Sequence, residues 1–113
     1  MSTWKTTFLQ ELDLAQQARA RENEGQARVC ARRAAGALLR EYFTRRGLSQ
    51  RSASAMDLLK TLLELDDLPS EVRQAAERLT LRVDPDFQLP AEIDLLAETQ
   101  ILARALLPDE ILE

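Results

Sequence analysis

Residues 27–47 read ARVCARRAAGALLREYFTRRG, and this stretch decides the fold. At about 100° per residue on a helix, its small side chains fall on one broad arc and its arginines fall on the opposing arc. The small arc comprises Ala27, Cys30, Ala31, Ala34, Ala35, Ala37 and Leu38. The basic arc comprises Arg28, Arg32, Arg33 and Arg40. The pattern predicts a helix over residues 26–46 that packs its small arc against a stripe at Trp4 and Phe8 and ends at Gly47.

Three further segments have apolar residues at the three- and four-residue spacing that is typical of helices. One follows Thr3, a predicted N-cap, and its inward stripe is Trp4, Phe8, Leu12 and Ala15. Another begins near Ser52 or Ser54. A third has Pro69 near its first turn, a position that proline tolerates.

A last helix is predicted from Pro90 to Pro108, after a loop at residues 84–89. Its inward residues are predicted to be Ile93, Leu96, Ala97 and Leu102. No alternating run of strand length interrupts this series of helical segments. We therefore predict an all-α protein, an up-and-down bundle of four to five helices, with a single domain over residues 1–113.

The composition excludes several classes of function. The 113 residues are 45% hydrophobic, with one cysteine, Cys30, and no histidine. This excludes an internal disulfide framework, histidine-based catalysis and the usual ligand sets for zinc, iron or copper, so no catalytic residue, metal or cofactor is expected. No apolar stretch is long enough to span a bilayer, and the N-terminus lacks a signal-peptide pattern. We expect a cytoplasmic protein with no membrane partner.

Opposite charges are concentrated in different parts of the chain. Residues 19–51 carry nine arginines against three glutamates, whereas residues 52–113 have a net charge of −9. The basic arc could therefore grip successive phosphates of a nucleotide or of single-stranded RNA. Alternatively, its arginines pair with acidic residues, within the chain or across a homodimer that serves as an interaction scaffold. The candidate acidic partners are Glu64, Asp66, Asp67, Glu71, Asp94 and Glu98.

Three parts of the chain, taken together, follow the pattern of a known helical family. Residues 27–43, closed by Arg46 and Gly47, have an alanine-rich core face that runs into an Ala-Leu pair and a helix-ending glycine. The series Ser54-Ala55-Met56-Asp57-Leu58-Leu59 is similar to a His-Asp-Leu segment at the start of that family's third helix. Residues 69–79, then Val83-Asp84-Pro85-Asp86-Phe87 and a closing helix, complete the pattern. These stretches resemble the HEPN domain family (higher eukaryotes and prokaryotes nucleotide-binding).

The resemblance implies a helical bundle, often homodimeric, that binds nucleotides or RNA. It also implies a small nucleotidyltransferase as partner in a toxin–antitoxin pair. Many members are ribonucleases whose motif is an arginine followed four to six residues later by a histidine. This chain has no histidine, and Met56 or Ala55 stands at the position of the His-Asp-Leu histidine. We therefore predict a non-catalytic module whose nucleotide- or RNA-binding residues are Arg28, Arg32, Arg33 and Arg40.

Overall fold

The helical periodicity of the sequence is realised as five helices. The computed structural model describes residues 3–48, 54–81 and 94–107, and in this part of the chain all regular structure is helical. The helices are α1 (Thr3–Ala20), α2 (Glu24–Arg45), α3 (Ala55–Leu63), α4 (Ser70–Leu79) and α5 (Leu95–Leu106). The prediction of an all-helical bundle is confirmed. None of the described helices is both long enough and apolar enough to cross a membrane.

Short polar side chains set where two of the helices begin. The side chain of Asn23 accepts a hydrogen bond from the backbone N–H of Gln26 at 3.1 Å. Ser54 accepts one from the backbone N–H of Asp57 at 3.3 Å. Such caps satisfy N–H groups that the first helical turn leaves unpaired. At the other end of α2, Gly47 adopts a φ of +73°, so the predicted end of the helix at this glycine is confirmed.

Helix α2 is the central helix of the bundle, because it packs against α1, α3 and α5. Every residue from 34 to 39 is buried, so over more than one turn α2 has neighbours on all sides. Gly36 is required there, since a Cβ at this position would lie 3.0 Å from the Cβ of Ala55 at the start of α3. The seven residues of the predicted small arc are all buried. Small side chains thus let three helices approach α2 closely.

The start and the inward face of α5 differ from the prediction. Residues 84–93, which include the predicted loop and Ile93, lie outside the described residues. Asp94 has an extended backbone and caps the helix, which therefore begins at Leu95 rather than at Pro90. Ala97, predicted to be inward, is exposed. The inward stripe contains two polar residues that a hydrophobic pattern misses, and its buried members are Leu95, Leu96, Glu98, Thr99, Leu102 and Ala103.

Candidate functional site

The four predicted binding arginines do not share one surface of α2. Arg28 and Arg32 are half-buried, whereas Arg33 and Arg40 are exposed. At 3.6 residues per turn, the two pairs lie about 100° apart around the helix axis. Residues 35 and 39 lie on the side of Arg28, and both are buried. The prediction of one basic arc opposite the small arc is therefore wrong, because a central helix has only a narrow exposed face.

Arg32 binds the chain's own backbone at the end of α4. Its Nε donates a hydrogen bond to the carbonyl oxygen of Leu79 at 2.9 Å. Its Nη2 donates another to the carbonyl oxygen of Leu81. The last carbonyls of a helix have no intrahelical partner and carry a partial negative charge, which a guanidinium complements. Arg32 therefore joins α2 to α4, and its role in the fold accounts for its position.

Arg19, which the sequence patterns did not single out, joins the beginnings of two helices. Its Nε lies 2.7 Å from Oε1 of Glu24 in the first turn of α2, and its Nη2 lies 3.1 Å from Oδ1 of Asp94, the N-cap of α5. The hydrogen bond to Glu24, followed by that to Asp94, raises the pKa of Arg19. Burial acts to raise the pKa of Asp94, but hydrogen bonds from Arg19 and the Ala97 backbone outweigh it, so this pKa is lowered.

Glu98 is a second acidic residue that does not pair with α2. Its Oε2 accepts a hydrogen bond from Nη1 of Arg78 on α4 at 3.0 Å, and its side chain is only 7% exposed. Its Oε1 is buried and has no hydrogen-bond partner. Asp67 lies 3.7 Å from Arg46, beyond the end of α2. Three of the predicted acidic partners thus bind arginines other than the four on the predicted basic arc.

Arg28 and Arg33 differ from the arginines described above. Within residues 3–48, 54–81 and 94–107, neither side chain makes a hydrogen bond or an ion pair. Arg40, by contrast, takes part in a contact within the protein. Arg33 lies on the exposed face, and Arg28 lies at its border with the buried side. Two guanidiniums near the start and middle of α2 therefore keep their donors available for another molecule.

A cavity of about 250 Å³ opens between α1 and α2 beside Arg40. Trp4, one of its lining residues, is 8% exposed and packs against Phe8 with ring centroids 6.0 Å apart. The indole Nε1 of Trp4 is buried without a hydrogen-bond partner. The cavity is lined by Trp4, Thr7, Ala37, Arg40, Glu41 and Thr44.

The cavity was not predicted, although its residues have helical spacing in the sequence. Trp4 and Thr7 lie one turn apart on α1, and Arg40 and Thr44 lie one turn apart on α2. This spacing places each pair on one side of its helix. Which sides face each other depends on how the hairpin of α1 and α2 packs, and a pattern within a single helix does not contain that information.

Comparison with protein-family models, with curated proteins and with solved structures found no match. The resemblance to HEPN domains therefore stays a prediction. The geometry of α2 and of the cavity beside it is the basis for the proposals below.

Proposed function

We propose that the chain is a non-catalytic module that binds the phosphates of single-stranded RNA or of a nucleotide through α2. The carrying observation is that Arg28 and Arg33 have no partner among the described residues. Other arginines of the same chain bind its own oxygen atoms: Arg73, for example, donates to the carbonyl oxygens of Leu63 at 3.0 Å and of Leu65 at 2.7 Å. Arginines that the fold does not use are the natural contacts for an external anion.

The binding surface that we propose runs along the exposed side of α2. Arg33 and Arg40 are seven residues apart, which is about 10 Å along the axis at 1.5 Å per residue. They can therefore contact different phosphates of one strand, with Arg28 at the side of this line. A guanidinium holds a phosphate through two parallel N–H donors, which a lysine does not offer. Arg32 is left out of the proposed contacts because Leu79 and Leu81 already accept its hydrogen bonds.

The absence of histidine from the sequence supports a binding role rather than RNA cleavage. Ribonucleases of the resembled family use an imidazole in cleavage, and this chain cannot supply one. The resemblance also adds a small nucleotidyltransferase as a proposed partner. Joint elution of the two purified chains in size-exclusion chromatography would support that partnership, and separate elution would count against it.

A binding titration with matched charge variants tests the phosphate proposal. Fluorescence anisotropy of a short labelled RNA strand, and calorimetry with ATP, compare the wild type with Arg28→Glu/Arg33→Glu at low and at physiological salt. The control, Arg21→Glu/Arg104→Glu, changes the net charge equally at two exposed arginines that have no partner among the described residues. We expect the first variant to lose binding and the control to keep it. Equal loss in both, or no binding by the wild type, would contradict the proposal.

A second candidate function is a homodimeric scaffold, which one observation favours. Glu64, Asp66 and Glu71 are exposed, and within the described ranges they form no ion pair. Their charge complements that of Arg28 and Arg33, so the two sets could meet across a dimer interface. Sedimentation at increasing salt tests this, because exposed ion pairs are screened. A dimer that dissociates with salt would support the scaffold, and a monomer at every salt concentration would contradict it.

A further inference from the structure

The cavity between α1 and α2 lies directly beside the proposed phosphate surface. Arg40 belongs to both, because it lines the cavity and follows Arg33 on the exposed side of α2. We propose that the cavity receives one nucleobase of the nucleotide or RNA strand whose phosphates contact α2. This inference rests on the proposed function and adds a subsite to it.

The lining of the cavity matches the edge and the face of a nucleobase. The buried indole N–H of Trp4 is a donor without an acceptor, and the guanidinium of Arg40 adds further donors on the same cavity. Glu41 supplies a carboxylate acceptor, which Arg45 holds through its Nε at 2.7 Å. The indole ring and the methyl group of Ala37 provide apolar surface for a flat ring. A base carries N–H donors, ring or carbonyl acceptors and a π-face, and so uses all of these groups.

The charges on the cavity disfavour simpler ligands. A lone phosphate that entered beside Arg40 would meet the negative charge of Glu41, and a simple amine would meet the positive charge of Arg40. An uncharged ring with both donors and acceptors avoids these repulsions. The volume agrees, since about 250 Å³ is below the range of about 300–1,000 Å³ that holds whole drug-sized ligands. One ring system fits, with its sugar and phosphate outside, toward Arg33.

Trp4 makes the proposal directly testable. It is the single tryptophan of the sequence, so its indole N–H gives one signal in a two-dimensional ¹H–¹⁵N spectrum of the whole chain. The probes are the four ribonucleoside monophosphates, ribose 5-phosphate and inorganic phosphate. We expect a saturable shift of the indole signal with at least one nucleoside monophosphate. We expect no comparable shift with ribose 5-phosphate or inorganic phosphate, because neither carries a base.

Two matched variants locate the binding. Thr7 is exposed and lines the cavity, so Thr7→Phe places a ring in it from the rim. Thr6 is exposed but does not line the cavity, so Thr6→Phe is the control. We expect Thr7→Phe to weaken nucleotide binding by about tenfold or more, the scale of one stacked base. Thr6→Phe should bind as the wild type does.

The base subsite and the phosphate surface can fail separately. RNA binding that depends on Arg28 and Arg33, without any shift of the Trp4 indole signal by a nucleoside monophosphate, would overturn the base subsite alone. Equal shifts with ribose 5-phosphate would also overturn it. A base-dependent shift that Thr7→Phe abolishes, in a protein whose RNA binding ignores Arg28 and Arg33, would uphold the subsite and overturn the phosphate surface.

Discussion

The Nε atom of Arg32 on α2 lies 2.9 Å from the carbonyl oxygen of Leu79 at the end of α4 and donates a hydrogen bond to it. This bond distinguishes Arg32 from Arg33, the next residue in the sequence, which has no partner among the residues that the structure describes. Two adjacent arginines of one helix thus have different roles. One holds two helices together, and the other keeps its charge available at the surface.

Substitution of these two arginines should therefore affect stability very differently. Arg32→Ala removes a charged donor from the end of α4, and we expect it to lower the free energy of unfolding by about 1.5–3 kcal/mol. Arg33→Ala removes an exposed side chain without a partner and should change this free energy by less than about 0.5 kcal/mol. Urea unfolding followed by circular dichroism measures both. Equal effects of the two substitutions would contradict the assigned roles.

Much of the fold could be predicted because it depends on local sequence. The alanine arc of α2 and the end of this helix at Gly47 follow from helical periodicity and from the glycine's left-handed conformation. The inward face of α5 could not be predicted from apolar residues alone, since buried Glu98 and Thr99 lie on it. Glu98 is buried because Arg78, 20 positions earlier, meets it across the interface of α4 and α5.

The ion pair of Arg19 with Asp94 predicts a pH dependence of stability. The pKa of Asp94 is lowered in the folded chain from an ordinary value of 3.8, so the unfolded state binds its proton more readily. The contribution is therefore complete above that ordinary value and is lost as the pH falls through the lowered pKa. Asp94→Asn keeps a good N-cap residue but loses the charge that faces Arg19.

We expect Asp94→Asn to be less stable than the wild type at pH 7 and the difference to close at pH values below 3.8. Urea midpoints measured across this range test it. Asp66→Asn is the control, because Asp66 is exposed and has no ion pair within the described residues, so its stability difference should be small at every pH. A difference for Asp94→Asn that stays constant with pH would contradict the ion pair.

The contact of Arg78 with Glu98 should be strongly coupled. Arg78→Ala leaves the carboxylate of Glu98, 7% exposed, without its cation, and we expect a loss of about 1–3 kcal/mol in the free energy of unfolding. Replacing both residues, as in Arg78→Ala/Glu98→Leu, removes the unpaired carboxylate and should restore part of that loss. A double-mutant cycle by urea unfolding measures the coupling. Additive effects of the two substitutions would contradict it.

Prediction of the site from the sequence was less complete than prediction of the fold. A helical projection gives the angle of Arg28 and Arg32 around α2 but not how many helices surround it, and α2 is buried on all sides over residues 34–39. The carbonyl oxygen that binds Arg32 belongs to a residue 47 positions later. Arg28 and Arg33 keep their predicted binding role as a proposal because no described residue engages them.

The salt dependence of RNA binding tests the proposed role of α2 most directly. Each arginine that contacts a phosphate releases counterions, so the slope of log K against log salt concentration should fall by about 0.7 per lost contact on single strands. We expect Arg28→Gln/Arg33→Gln to reduce the slope by about 1.4 relative to the wild type, and Arg21→Gln/Arg104→Gln to leave it unchanged. The same slope for the wild type and both variants would contradict phosphate binding by α2.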